Sequence, residues 1–238
     1  MTDDLHDLIP VPSARSDRPL SGQTVLVVED SRFASEAMRL LCLRSGARIR
    51  RADCLHSARR HLRVYRPQVA VIDLGLPDGL GDTLIAELAR AVPRVPVILG
   101  CSGDDGARAR VIEAGADGFL AKPVTSLATF QQAITAHLPD GGPPGIGRIP
   151  DEPVRPDGFA FREDMVHAAE VLAAGADAQT LHYLAQFLAA VARDADDRLL
   201  EKAADGLALC HRDTGKAAAA SARISGLVQA RIAARGPV

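Results

Sequence analysis

The polar residues best placed to do chemistry in this sequence stand where short apolar runs stop. Glu29 and Asp30 follow "TVLVV" (24–28), Asp73 follows "QVAVI" (68–72), Ser102 comes just after "VPVILG" (95–100), and Lys122 follows "GFLA" (118–121). Burying an unpaired carboxylate costs several kcal/mol, so a chain that ends a core run on one pairs it, gives it a metal or uses it. Three carboxylates together repel one another unless a cation sits among them. A hard divalent ion such as Mg2+ takes one or two carboxylates with phosphate oxygens and water. The set also holds one group for each need of phosphoryl transfer to a carboxylate. Asp73 is the candidate nucleophile, the metal would neutralise the incoming oxygens, and Lys122 and the Ser102 hydroxyl would bind the others. Alone, Asp73 would read as a loop carboxylate capping the Pro77-Asp78-Gly79 turn. In register with the other four it reads as a phosphoacceptor that a donor can reach from the surface.

The elements that must position these residues alternate in type. Strands are predicted over 24–28, 47–52, 68–72, 95–100 and 118–121, and helices over 32–45, 54–65, 80–91, 104–114 and 125–137. Near-continuous apolar strands separated by helices indicate a five-stranded, doubly wound parallel sheet covered on both faces. Function in such sheets gathers at the carboxyl ends of the strands. The stretch 138–158 is dense in Pro and Gly and reads as a fairly stiff linker. Beyond it strand signals vanish, and 159–238 is predicted to be a small all-α unit.

Composition sets wide bounds. A chain of 238 residues with 47% apolar content holds one large domain or two small ones with a genuine core. A formal charge of −2 argues against a generally basic nucleic-acid binder, though not against a local patch. Cys42, Cys54, Cys101 and Cys210 are scattered, without a C-x-x-C pair, and are expected to be reduced thiols. Cys101, beside Ser102, reads as a small buried hydrophobe rather than a redox sensor. The N-terminal stretch is acidic where a signal peptide needs base, and no run of about 18 apolar residues occurs. The expectation is a cytoplasmic protein, not membrane-bound, with a flexible arm over 1–22, an α/β domain over 23–138, a linker over 139–158 and a helical domain over 159–238.

With "VVEDSR", "VIDLGLPDGLG", "ILGCSG" and "GADGFLAKP" in this order, residues 23–138 resemble the receiver domains of bacterial two-component response regulators. The resemblance covers about half the chain. It implies a flavodoxin-like fold and Mg2+ held by Glu29, Asp30, Asp73 and the carbonyl of Gly75. It also implies phosphorylation of Asp73 by a histidine kinase or phosphotransfer protein, with no catalysis beyond the protein's own phosphorylation and dephosphorylation. The family's switch would place the Ser102 hydroxyl toward the phosphoryl group and swing Phe119 inward, remodelling the face built from the helices near 104–114 and 125–137 and the strand 118–121. Phe119 replaces a tyrosine here, so the switch would rest on packing alone. Lys122-Pro123 is expected to be cis, as is usual in the family. Gly75 offers no side chain to shield a phosphoaspartate, and Asp104 adds a modulating negative charge nearby or serves only as a helix N-terminal charge. Together they predict a phosphorylated state open to water or a phosphatase.

The helical unit resembles no output family. Phe161, Met165, Ala169 and Leu172 form one stripe; Leu181, Leu184, Leu188, Val191 and Ala195 form a narrow seam. A last helix over 215–234 carries Ile224, Leu227, Val228 and Ile232, with Arg223, Arg231 and Arg235 on its polar side. Its alanine-rich core is thin, and homodimerisation would complete it. Ten Lys and Arg stand against eleven Asp and Glu from residue 155 onward, and no basic helix-turn-helix is evident. A protein output partner is therefore favoured over DNA. His167, His182 and His211 lie on predicted helices without the setting of a phosphotransfer histidine and read as solvated. The alternatives are a DNA-binding transcription regulator with an atypical helical effector, or a phosphorelay intermediate.

Overall fold

Residues 18–104, 106–139, 153–175, 177–209 and 214–234 are described by a computed structural model of the chain. The strands are β1 (Thr24–Val28), β2 (Arg48–Ala52), β3 (Val69–Asp73), β4 (Gly75–Leu76), β5 (Gly79–Leu80), β6 (Val97–Ser102) and β7 (Gly118–Ala121). Five of them form one sheet in the order β2-β1-β3-β6-β7, every pair parallel, while β4 and β5 make a tiny antiparallel hairpin that sequence period does not reveal. The helices of this part are α1 (Arg32–Arg44), α2 (Leu55–Val64), α3 (Gly81–Arg90), α4 (Ala107–Glu113) and α5 (Leu127–Thr135). This strand order, with helices on both faces, is the flavodoxin-like arrangement.

Side chains alternate across each strand, so successive residues feed opposite cores. Val25, Val27, Val69, Val71, Val97 and Leu99 meet α1 and α5 through Met38, Leu41, Phe130 and Ile134. Leu26, Val28, Ile72 and Ile98 meet α2, α3 and α4 through Leu55, Leu84, Ile85 and Val111. The edge strand β2 exposes Arg48, Arg50 and Arg51, charges that discourage pairing with another chain. Helix α4 starts at Ala107 rather than 104, because the Asp104 carboxylate accepts the Gly106 N–H (2.9 Å) in a turn before it.

Two chain segments are tied down where the sequence predicts an arm and a linker. Leu20 is fully buried and its N–H donates to the Ser45 carbonyl (3.0 Å), so the part of 1–22 from Arg18 on belongs to the α/β core. Val154 is 1% exposed in the same core, and its N–H donates to the Thr125 carbonyl (2.9 Å). Residues 1–17 and 140–152 lie outside the described residues.

The helical part consists of α6 (Gly158–Ala173), α7 (Ala178–Asp194), α8 (Arg198–Leu209) and α9 (Thr214–Ala234). Helix α8 is absent from the sequence reading. Asp196, at φ 57°, reverses the chain after α7, and the Asp197 carboxylate accepts the Leu200 N–H (3.1 Å) to start α8. The predicted seam turns inward at Leu184, Leu188 and Val191, while Leu181 and Ala195 are half-buried. The thin core predicted to need a second copy closes instead on the α/β part of the same chain. Phe33 of α1 belongs to the helical core and meets Phe161 edge-on, with centroids 5.9 Å apart. Core thinness therefore no longer argues for a dimer. Among the described residues no helix is long and apolar enough to cross a membrane.

Arg231 corrects the reading of a solvated arginine face on the last helix. It is 8% exposed, and its guanidinium holds the Asp197 carboxylate through two hydrogen bonds of 2.7 and 3.0 Å. Arg223 is exposed, and Arg235 lies outside the described residues. Burial acts to raise the Asp197 carboxyl, but the Arg231 hydrogen bond and charge hold it below its usual range. Arg231→Met would leave a buried carboxylate unpaired and is expected to cost about 3 kcal/mol at neutral pH, measured by urea unfolding. A depressed carboxyl stabilises the fold above its unfolded value, about 3.9, and that stability is lost as pH falls through the folded value. Wild type and variant should therefore converge in acid; a pH-independent deficit would count against the ion pair.

Candidate functional site

Parallel strands all end on one edge of the sheet, and the order of β1, β3, β6 and β7 sets their polar termini side by side. Oxygens of Glu29, Asp30 and Asp73 lie within 4.8 Å of one another. Lys122 sends Nζ into the group, 2.7 Å from Glu29 Oε2 and 3.1 Å from Asp73 Oδ2, with its side chain only 5% exposed. The other Asp73 oxygen accepts the Leu74 N–H (2.8 Å), and Glu29 Oε1 accepts the Ser31 N–H (3.3 Å). Ser102 ends β6 on the rim of the same cleft, its Oγ accepting the Asp104 N–H (3.1 Å). The structure thus brings together the five residues singled out at the strand ends.

Burial pushes Glu29 well above the usual carboxylate range, against the pull of Lys122. Burial likewise pushes Asp30 up to about 7, opposed by a hydrogen bond from Tyr183 and reinforced by the charge of Asp73. Burial works against the charge of Lys122, yet Asp73 and Glu29 hold it well above its ordinary value, so it stays an ammonium. Cys101 is buried and its thiol is raised by burial, as suits an inert core residue. The donor set is all oxygen and rich in carboxylate, which fits a hard divalent cation such as Mg2+.

The loop after Asp73 is shaped by residues the chemistry does not advertise. Asp78 accepts the N–H groups of Leu55 and His56 (2.8 Å each), pinning the turn to the start of α2. Gly81 lies so close to the Asp73 carbonyl that any Cβ there would collide with it, and its N–H donates to the Leu74 carbonyl (3.1 Å). Gly75 lines the cleft, and a Cβ on it would meet nothing within 4 Å. Asp104 is exposed on the cleft's rim. Phe119 is 7% exposed, packed inward in the core, with the Arg108 guanidinium 5.1 Å from its ring centroid. Lys122-Pro123 is cis, as is Val92-Pro93.

Sequence reasoning missed the other wall of the cleft. Helix α7 crosses it, and the cleft, about 560 Å³, is lined by Tyr183, Gln186 and Arg193 of α7 as well as by Asp30, Asp73 and Lys122. The Tyr183 hydroxyl donates to Asp30 Oδ2. Burial and the neighbouring Asp30 raise that phenol, so it remains a donor. The Arg193 guanidinium lies against Gly103, close enough that a Cβ there would push it aside, while its Nε binds Glu201 Oε1 (3.0 Å). Asp164 of α6 docks at the start of α1, accepting from Ser31 Oγ (2.9 Å) and from the N–H groups of Arg32 (2.8 Å) and Phe33 (3.0 Å). The histidines weighed for phosphotransfer are elsewhere. His167 and His182 are exposed and do not line the cleft, and His211 lies outside the described residues.

Residues 25–135 match the family model described as "Response regulator receiver domain". Over 100 residues, 42% of this chain, the sequence is 34% identical to the KDP operon transcriptional regulatory protein KdpE of Escherichia coli (strain K12), covering 44% of that protein. It is 30% identical over 100 residues to the virulence transcriptional regulatory protein PhoP of Salmonella typhimurium (strain 14028s / SGSC 2262), covering 42% of this chain and 45% of that one. The chain spans less than half the length of these curated relatives. Among solved structures, it is similar to the receiver domain of a sensor histidine kinase from Pseudomonas aeruginosa PAO1 with magnesium coordinated in its active-site cleft. That match has 25% identity and TM-score 0.44, and covers 49% of this chain and 98% of that one. A response regulator from Burkholderia pseudomallei with a phosphorylated aspartic acid, calcium ion and citrate matches at 27% identity and TM-score 0.42, covering 47% of this chain and 66% of that one. With its parallel sheet and acidic edge, the segment 25–135 is a response regulator receiver domain of two-component signalling.

Proposed function

We propose that this chain is a cytoplasmic response regulator that accepts a phosphoryl group on Asp73, from a histidine kinase or a phosphotransfer protein, and acts through its helical unit by protein contact. The observation that carries this reading is the placement of Lys122 between Glu29 and Asp73, with Asp30 beside them, on the rim of an open cleft. Glu29, Asp30, Asp73 and the Gly75 carbonyl would hold Mg2+, which supplies neutralising charge for the phosphoryl oxygens. The Asp73 carboxylate attacks phosphorus. The new O–P bond forms as the donor's P–N or P–O bond breaks, and the bonding pair leaves with the donor. Lys122 balances the carboxylates and then the phosphoryl charge. The Ser102 hydroxyl, whose oxygen accepts the Asp104 N–H, donates its O–H to a phosphoryl oxygen, and Phe119 supports that position from the core. The protein catalyses only its own phosphorylation and dephosphorylation.

The output reading is supported by the near-neutral helical unit and by Arg231, whose charge is spent on Asp197. Phosphorylation adds about −1.5 to −2 charge to a cleft walled by α7. That charge alters the docking of α6 and α7 on the receiver. Once released, the face carrying Phe161 and Tyr183 is available to a partner protein or to a second copy of the chain.

With acetyl phosphate and Mg2+, intact mass should show one phosphoryl group on the wild type and none on Asp73→Asn, and EDTA should abolish the gain. Size-exclusion light scattering of the same samples should show the phosphorylated wild type associating. No phosphoryl gain by the wild type would refute the phosphoacceptor, and an unchanged molar mass would refute homodimerisation as its output. Gly75→Asn, which has open space to fill, and Asp104→Ala, which removes a negative charge from the rim, should each lengthen the phosphoaspartate half-life several-fold. Unchanged decay in both would remove these residues from control of its lifetime.

A further inference from the structure

The helical unit does more than cover the acidic cluster, because it holds one of the cluster's carboxylates. Asp30 follows β1 and immediately precedes the residues that Asp164 caps, Ser31, Arg32 and Phe33. From the other side, Tyr183 donates its hydroxyl to Asp30 Oδ2. The tyrosine ring is itself placed. It lies tilted on Phe187, centroids 6.2 Å apart, and Phe187 is 6% exposed in the helical core that also takes in Phe33 and Phe161. Tyr183 thus holds the Asp30 carboxylate itself, and Asp164 holds the backbone that follows it. A carboxylate has two oxygens, and a donor fixed on one orients the other. Hydrogen bonds of this kind behind metal-binding carboxylates typically govern affinity by about ten- to a hundredfold.

We propose that Tyr183 is a positioning residue of the Mg2+ site: by holding Oδ2 of Asp30 it presents the remaining oxygen to the ion, so that metal occupancy and docking of α7 on the receiver strengthen each other. This rests on the reading of Glu29, Asp30 and Asp73 as the metal-holding set. Linkage makes the coupling reciprocal: what the docked helix contributes to metal affinity, the bound metal returns to docking. The C-terminal unit therefore senses the receiver's site directly through a side chain in it, in addition to any change on the face near Phe119.

The test is calorimetric titration of MgCl2 into the full chain, wild type and Tyr183→Phe, with hydrogen exchange of α7 followed in parallel. Phenylalanine keeps the ring on Phe187 and deletes only the donor, so a purely packing role predicts no change. The expected result is a roughly ten- to hundredfold weaker affinity in the variant, with Mg2+ slowing α7 exchange in the wild type and much less in Tyr183→Phe. Phe187→Leu, which loosens the ring's support but keeps the hydroxyl, should stay within a few-fold of the wild type. Equal or tighter binding by Tyr183→Phe overturns the proposal, as does an equal loss in Phe187→Leu, which would assign the effect to general loosening of α7. Failure of the wild type itself to bind Mg2+ overturns the metal reading of the cluster and this inference with it.

Discussion

The edge of the sheet depends on a single ammonium kept charged where little water reaches. Lys122 faces Glu29 and Asp73 at ion-pair distance, and those two carboxylates in turn keep it protonated. The balance is incomplete. Three carboxylates face one ammonium, and burial raises both Glu29, which Lys122 pairs with, and Asp30, which it does not, the latter up to about 7. A buried ionic cluster is weak evidence for stability, since a well-packed apolar replacement is often as good. At the open ends of parallel strands it forms an oxygen-rich cluster whose chemistry fits a hard cation.

The sheet makes that balance geometrically possible. Asp73 sits at the end of central β3, flanked by β1 and β6, so the residues after those strands need no long loops to reach it. What the loops supply is restraint. Gly81 lets the start of α3 close against the Asp73 carbonyl, and Asp78 ties the intervening turn to α2. Asp73 is therefore held by backbone that has little freedom to relax, the condition under which an electrostatic arrangement is preorganised.

This part was legible from sequence because its signals are local. An apolar run of strand length followed by an acid, a hydroxyl or a lysine announces both the element and the side chain at its end. The helical contributions carry no such mark. Tyr183 and Asp30 are 153 residues apart, and nothing in the period of "LHYLAQFL" distinguishes a tyrosine that lines a cleft from one that merely flanks a seam. Asp164 sits within a helical stripe as an ordinary polar residue until Ser31 is seen beneath it. Arg231 misleads for the same reason: three- and four-residue spacing identifies a face, but the partner, Asp197, comes from the turn that opens a helix the sequence reading lacked. Leu20 is one apolar residue in a polar stretch, too little to signal that the chain before β1 is already part of the core.

Val154 gives the junction a different character from that of a tether. It fills the receiver's own core from within the Pro- and Gly-rich stretch, while Phe33 of the receiver fills the core of the helices and Asp164 finishes the first turn of α1. The receiver thus takes a piece of its interior from the connecting segment, and the helices take a piece of theirs from the receiver. A receiver severed near residue 138 would carry a void where Val154 belongs and a helix end with unsatisfied donors. The two halves are separable as stretches of sequence but not as packed interiors, so displacing the helices removes Phe33 from their core and the Asp164 hydrogen bonds from the start of α1.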